Sequence, residues 1–313
     1  MLSRIADSLF WLNRYMERAD GMLRVMKTHY IMSLDKGVNG NITWRPVLEI
    51  FTTGDDEKIA ALENDTAAVL QHLIVNTENN NSLRVLLSRA RENARGVQDH
   101  ITKEVWEQVN QAYHAVNRNA LQQRLSGDSA LKEIESLSQL CVLYTGITDI
   151  TMPRGSGWSF MNLGKFLERS LETIVLSEKQ CCGENNSINV PRDIMEWRYL
   201  LLCLSGYELH LKTYRTANYN YNVLHQVLFN QDFTRSVLYS LSRIEKYLHD
   251  VLKENNLPEN DALLRRFGRL YSKAKFMDPE NLNSETLPKF LVELKHDLLD
   301  FSKQFAQNFF SYS

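Results

Sequence analysis

Glycine, proline and cysteine are scarce in this sequence of 313 residues, which contains 13 glycines, 6 prolines and 4 cysteines. So little glycine and proline argues against collagen-like, low-complexity and turn-dense all-β architectures. The cysteines form no C-x-x-C pair, and two of them, Cys181 and Cys182, are adjacent. This pattern fits neither a disulfide framework nor a zinc site, and it favours a reduced, cytoplasmic chain.

Charge and hydropathy also lack the extremes that mark nucleic-acid-binding and membrane proteins. The net charge is −2 and no run of five like charges occurs, whereas a nucleic-acid footprint needs a clustered basic excess. The most apolar segment, residues 200–204, is far shorter than the ~20 residues that span a bilayer. Residues 1–7 carry charges where a signal peptide needs its apolar stretch. We expect a cytoplasmic protein that contacts neither membranes nor nucleic acid.

Helical periodicity runs through most of the chain. In the first helix, apolar residues recur in steps of three and four from Ile5 to Tyr30, after Ser3 as N-cap and before Gly37 and Gly40. No segment shows the sustained alternation typical of a strand, so the sequence predicts an all-α, multi-helix bundle. The other predicted helices are residues 46–52, 57–75, 82–98, 103–118, 130–148, 158–182, 192–216, 221–229, 234–254, 261–276 and 286–310.

Three ordered matches indicate an internal duplication. Residues 14–18 match residues 165–169, residues 44–48 resemble residues 197–201, and residues 83–87 resemble residues 234–238. Because the offset stays between 151 and 153 residues, we predict two similar helical halves within one compact unit, related by a pseudo-twofold axis. The halves are residues 1–150 and 151–313. Their first helices should superpose, with Glu17 on Glu168 and Arg18 on Arg169.

The Glu-Arg landmarks place charged residues on shared helical faces. Guanidinium groups bind carboxylate or phosphate, buried Arg–Glu pairs fix helix register, and exposed pairs merely line a solvated face. These three interpretations stay open on the residues alone. For the first two, we predict that a cluster of the landmark side chains converges in space. The candidate ligand-binding residues are Arg14, Glu17, Arg18, Arg91, Glu92, Asn93, Arg95, Glu168, Arg169 and Arg235.

Other motifs are weaker. The sequence has no phosphate-binding loop and no dinucleotide fingerprint, so no cofactor is implied. Glu293 and His296 form a single E-x-x-H pair, whereas a helical di-iron site needs two with partner glutamates. A metal-dependent helical oxidase therefore remains only a third functional class. The aromatic cluster of Tyr214, Tyr219 and Tyr221 fits helix packing better than a peptide groove.

Several short segments carry the landmarks in a fixed order. They are residues 1–6 with Trp11, residues 14–15 and 17–19; residues 90–95 with Trp106 and Asn110; residues 151–152 with Phe160, residues 163–164 and 168–169; Trp197; and residues 235–237. This set resembles the alpha-E family, bacterial all-helical proteins named for a Glu-Arg motif. Two positions depart from the family pattern: Lys165 stands where arginine is usual, and Thr234 where proline is common.

The resemblance implies an all-α protein that works beside other proteins. Members of the family are commonly encoded beside, or fused to, circularly permuted ATP-grasp proteins and transglutaminase-like proteins. This implies an ATP-grasp partner in peptide ligation or peptide modification, with an acidic peptide, a carboxylate or a phosphorylated intermediate as ligand. The rival hypothesis is a non-catalytic scaffold whose Glu-Arg clusters are structural.

Overall fold

The protein is helical throughout its described residues, and the all-α prediction is confirmed. A computed structural model describes residues 2–34, 42–52, 56–181, 194–216, 218–255 and 260–310, and no strand occurs within these ranges. The chain divides into two compact units. We call them the N-terminal unit, Trp11–Pro153, and the C-terminal unit, Met1–Phe10 with Arg154–Ser313.

The N-terminal unit holds most of the first helix and seven further α-helices within its described part. They are α1 (Ser3–Leu34, from Trp11 onward), α2 (Arg45–Phe51), α3 (Asp56–Leu62), α4 (Thr66–Ile74), α5 (Leu83–Gly96), α6 (Lys103–Asn117), α7 (Leu121–Leu125) and α8 (Ala130–Thr151). The centre of the unit is α6, which packs against α5 on one side and α8 on the other. The Tyr144 hydroxyl of α8 donates to Asn13 Oδ1 of α1 over 2.5 Å, which ties the first helix to the last.

Side-chain caps set several boundaries in this unit. The prediction of one helix over residues 57–75 is wrong, because Asp65 accepts a hydrogen bond from the Ala68 amide and starts α4 as a separate helix. Ser82 and Thr102 cap α5 and α6 in the same way. The short helix α7 is an element that periodicity did not predict.

The C-terminal unit holds seven α-helices in its described part, together with residues 3–10 of α1. They are α9 (Ser156–Cys181), α10 (Ile194–Cys203), α11 (Tyr207–Thr213), α12 (Tyr219–Leu224), α13 (Val237–Asn255), α14 (Asn260–Lys275) and α15 (Thr286–Phe309). A π-helical turn, His225–Phe229, extends α12. Helix α13 lies along α9, and α15 packs against both α9 and α14.

Aromatic packing explains why the start of α1 belongs to this unit. The Phe10 ring stacks on Phe305 with centroids 5.6 Å apart and contacts Phe310 at 5.2 Å. Phe160 of α9 joins the same cluster through Phe305 and Phe310.

None of the helices in the described part of the chain combines the length and the apolar character needed to cross a bilayer.

The prediction of one helix over residues 192–216 is wrong, and residues 192 and 193 lie outside the described ranges. The break falls after Cys203, where Ser205 adopts a left-handed φ of 55°. The amide of Gly206 bonds back to the Leu201 carbonyl at 2.7 Å, and that of Ser205 to Leu202 at 3.0 Å, which closes the helix end in a Schellman pattern. The predicted helix-ending residues Gly37 and Gly40, and Cys182, also lie outside the described ranges.

Candidate functional site

The first Glu-Arg motif lies on α1, with Arg14 and Glu17 buried and Arg18 partly buried. The Arg14 guanidinium lies 4.6 Å above the Trp11 ring. Glu17 faces α8: burial raises the pKa of the Cys141 thiol, and the carboxylates of Asp20 and Glu17 raise it further. A carboxylate this close to a buried thiol is an internal group, so the first half of the motif does not form a solvated face.

Arg18 of the same motif reaches an asparagine-rich turn, residues 76–82, which precedes α5. Its Nη1 donates to Asn81 Oδ1 at 3.3 Å. Arg89 of α5 donates to the neighbouring Asn80 at 3.1 Å. The turn itself is held by Asn79, whose Oδ1 accepts from the Asn81 amide at 3.0 Å. Two arginines from two helices thus fix the entry to α5.

Arg91 is enclosed by one face of α6. Its Nε donates to Asn110 Oδ1 at 2.7 Å, and its guanidinium carbon lies 4.7 Å from the Tyr113 ring centroid and 5.7 Å from that of Trp106. The three partners are spaced i, i+4 and i+7, so they form a single stripe on α6. Only 25% of the Arg91 side chain remains exposed. Its position is that of an interhelical anchor between α5 and α6.

The neighbours of Arg91 in the sequence face outward. Glu92 and Arg95 are about three-fifths exposed, at 59% and 62%, and their ion pair spans 3.7 Å. The Asn93 amide donates to the Arg89 carbonyl one turn earlier, at 2.9 Å. Contacts of this kind are ordinary for a solvated helix face.

The second Glu-Arg motif lies on α9, where Glu168 and Arg169 are both buried. Arg169 Nη1 donates to the Thr234 carbonyl at 3.3 Å, and its guanidinium lies 5.2 Å from the Phe166 ring centroid. One turn later, the Thr173 hydroxyl donates to the Arg235 carbonyl at 2.8 Å. Helix α9 therefore holds the turn that precedes α13 by hydrogen bonds to both of these carbonyls.

Matching contacts recur in the two units, each within its own unit. Trp44 and Trp197 are both fully buried, and each indole N–H donates over 3.0 Å, to Thr66 Oγ1 and to Asn220 Oδ1 respectively. Both donors and both acceptors are separated by 153 or 154 positions in the sequence. A fully buried indole needs such an acceptor, since its N–H has lost water.

The turns before α5 and α13 match in the same way. Asn76 Oδ1 accepts from the amide two residues later at 2.9 Å, and Asn230 does so at 2.8 Å. At the ends of these turns, Ser82 caps α5 and Ser236 accepts from the Tyr239 amide at the start of α13. All of these equivalent positions are 154 residues apart.

A polar cluster in the C-terminal unit surrounds the π-helical turn. Gln226 Nε2 donates to the Gly206 carbonyl at 2.8 Å, and its Oε1 lies 2.8 Å from His210 Nδ1. The Tyr214 hydroxyl lies 2.8 Å from His225 Nδ1 and accepts from Asn230 Nδ2 at 3.0 Å. Burial lowers the pKa of both histidines and raises that of Tyr214. The cluster connects α11, α12 and the following turn, in line with the helix-packing interpretation of Tyr214.

Sequence reasoning missed the acceptors that the motif arginines use. The asparagines of residues 76–82 form the densest asparagine run in the chain, and that run could have indicated where these acceptors lie. The sequence shows no ligand spacing for His72, and in the structure this buried side chain has Thr52 Oγ1 at 3.2 Å from Nε2 and Asn76 Nδ2 at 3.2 Å from Nδ1. Glu293 of the E-x-x-H pair forms an ion pair with Lys273 at 3.3 Å. Within the described ranges, no group of three or more His, Cys, Asp and Glu side chains is placed to hold a metal ion.

The candidate site residues thus fall into local groups. In the N-terminal unit, α1 carries Arg14, Glu17 and Arg18, and α5 carries the four residues 91, 92, 93 and 95. In the C-terminal unit, Glu168 and Arg169 lie on α9, and the backbone of Arg235 contacts that helix. Convergence of the full set in space stays a prediction.

Comparison with known proteins identifies the family of the chain but finds no matching experimental structure. Two uncharacterized proteins, one of Mycobacterium bovis and one of Mycobacterium tuberculosis, are each 23% identical to it over 309 residues. These matches cover 93% of this chain but only 34% of the relatives, so the chain spans about a third of their length. The model of the Alpha-E family, described as a predicted alpha-helical domain with a conserved ER motif, matches residues 1–310. The resemblance of the sequence landmarks is therefore confirmed, and the chain belongs to the Alpha-E family.

Proposed function

We propose that this chain is a helical partner domain that acts with an ATP-grasp protein in peptide ligation or peptide modification. The family resemblance supplies the class of partner. The length of the relatives supports a role beside other domains, since a stretch similar to this chain makes up 34% of each. In this proposal the partner supplies the nucleotide chemistry.

The observation on which the proposal rests is the family match over residues 1–310, and the use of the motif arginines bears on where such a partner would bind. Arg18 and Arg169 are 151 positions apart, and each donates to the turn before a later helix, α5 in one unit and α13 in the other. An arginine that donates its hydrogen bond to a turn within its own unit stabilises that unit. We infer that the Glu-Arg motif builds the domain, and that the partner is recognised by the surface that the domain presents.

The same contacts support an internal duplication. Together with the paired tryptophans and the paired turns, they repeat at offsets of 151 to 154 residues. The order of helices repeats as well, since α1, α2, α4 and α5 correspond to α9, α10, α12 and α13. A pseudo-twofold axis between the halves remains a prediction of this duplication.

The scaffold alternative differs from this proposal in what the partner needs. If the chain only assembles other proteins, the partner should hydrolyse ATP and modify peptide equally well without it. If the chain is a functional partner domain, removing it should abolish or strongly reduce peptide-dependent ATP turnover.

A co-expression experiment tests both statements. If the genome encodes an ATP-grasp protein near this gene, the full chain is produced with it. The complex is then followed by size-exclusion chromatography and by calorimetry of the purified proteins. We expect a stable complex and peptide-dependent ATP turnover that needs both chains. Absence of a complex at micromolar concentrations of both proteins would overturn the proposal. A complex whose turnover is unchanged by this chain would favour the scaffold.

A further inference from the structure

A cavity of about 730 Å³ lies in the C-terminal unit, between α14 and α15. Its volume is in the range of small-ligand sites. Helix α14 contributes the arginines Arg265, Arg266 and Arg269, and α15 contributes the side-chain amides Gln304 and Asn308. These residues lie outside the Glu-Arg landmarks, so the proposed function does not use them.

The two helices run antiparallel and are joined by ion pairs along only part of their length. Lys273 Nζ contacts Asp297 at 2.6 Å and Glu293 at 3.3 Å. Arg266 forms the next pair, with Asp300. Beyond Asp300 the same stripe of α15 continues at steps of four residues, but with the neutral amides Gln304 and Asn308. Among the described residues, the carboxylates of α15 on this stripe therefore end at Asp300, whose partner Arg266 also lines the cavity.

The described lining of the cavity carries more positive than negative charge. It holds three arginines and one carboxylate, that of Asp261. That carboxylate is 3.7 Å from Arg265, and both side chains are more than 70% exposed, so their ion pair is weak. Arg269 forms no ion pair with any described side chain. At least one guanidinium fork is thus available in the cavity.

The apolar side of α14 holds this helix against α15. Phe267 is buried and packs on Phe301 of α15 with ring centroids 5.0 Å apart, and Leu263 and Leu270 are buried on the same side. The exposed residues 265, 266 and 269 lie outside this buried face and line the cavity. Guanidinium groups grouped in this way bind carboxylate and phosphate oxygens bidentately, while the amides of α15 donate further hydrogen bonds.

We propose that the cavity between α14 and α15 binds a small polyanion, whose phosphate or carboxylate groups are held by Arg265, Arg266 and Arg269. Arg266 is positioned by Asp300, and Arg269 supplies the charge that has no partner in the helix pair. The site needs no second protein, so it stands or falls separately from the ATP-grasp partnership.

Calorimetric titration of the full chain tests this site with two probes, inorganic tripolyphosphate for the phosphate source and triglutamate for the carboxylate source. We expect at least one probe to bind, and Arg269→Ala to weaken its binding about tenfold. The Arg265→Ala/Arg269→Ala double variant should lose detectable binding. The preferred probe identifies which source of the anion the site accepts.

Arg215→Ala is the matched control, because Arg215 is an exposed arginine of the same unit outside the cavity lining. It removes one positive charge and should bind the probe as the unmodified chain does. Circular dichroism checks that each variant keeps its helices. Equal weakening by Arg215→Ala and Arg269→Ala would reveal general attraction to positive charge and overturn the site. Absence of binding by both probes at millimolar concentration would also overturn it.

Discussion

Truncation of Arg91 separates a structural arginine from a ligand-binding one. Arg91→Ala removes a charged hydrogen bond to Asn110, worth about 1.5–3 kcal/mol, and two aromatic contacts, worth roughly 0.5–1 kcal/mol each. A quarter of the side chain is exposed, and Asn110 can regain water, so the loss is smaller than the sum. We expect the free energy of unfolding to fall by about 2–4 kcal/mol.

Urea and thermal unfolding followed by circular dichroism measure this loss. At ~2–4 °C per kcal/mol, a loss of about 2–4 kcal/mol should move the transition of the N-terminal unit down by about 4–16 °C. Arg95→Ala is the control on the same helix, because its exposed ion pair at 3.7 Å should be worth less than about 0.5 kcal/mol. Arg91→Lys keeps the charge without the fork and should fall between the two. If Arg91→Ala unfolds like Arg95→Ala, the anchoring role is wrong and the ligand-binding interpretation of Arg91 gains support.

Three further predictions concern buried groups. Burial lowers the pKa of His29 from 6.5 to about 4, so between these values the unfolded chain binds a proton that the folded chain does not. At ~1.36 kcal/mol per pKa unit, stability should decrease by up to roughly 3 kcal/mol as the pH falls through this range, and pH-dependent melts of His29→Gln should show a flatter profile. Gly206→Ala would place a Cβ 2.8 Å from buried side-chain atoms, so it should lower the free energy of unfolding in urea by about 1–3 kcal/mol. Gly268→Ala is the control: this helical position has open space, so the change should be neutral or stabilising. Equal effects of the two changes would refute the close approach at Gly206. Arg169→Ala should destabilise the chain by about 1–3 kcal/mol in the same assay by leaving the Thr234 carbonyl without its donor, and an unchanged midpoint would contradict that role.

Periodicity located most of the helices because their apolar stripes are long and regular. It failed where a helix ends without a change in hydrophobic pattern. Ser205 takes a left-handed φ of 55° that glycine usually adopts, so nothing in its identity marks the end of α10. The boundary at Asp65 was easier to predict, since an aspartate before a helical pattern is a common N-cap, and the polar residues 63–66 surround it.

The candidate site was harder to predict than the fold, because its contacts join residues far apart in the chain. Arg91 meets a partner 19 positions later, and Arg18 meets one 63 positions later. Spacing within one helix shows which residues share a face, but not which helix that face will meet. The sequence therefore singled out the arginines while leaving open whether they converge in space and whether they bind ligand or hold the fold.

The arginines discussed above fall into two groups according to the contacts that they make within their own unit. Arg18, Arg91 and Arg169 each donate a hydrogen bond to an acceptor of a neighbouring segment within their unit. The arginines of α14 instead line a cavity together with amides of α15; Arg266 pairs with Asp300, and Arg269 forms no ion pair with a described side chain. A bound anion would gain most from a guanidinium that no carboxylate already neutralises, since displacing an existing partner offsets the new contact. On this ground we propose that the family motif is structural, and that an anion is recognised by the cavity between α14 and α15.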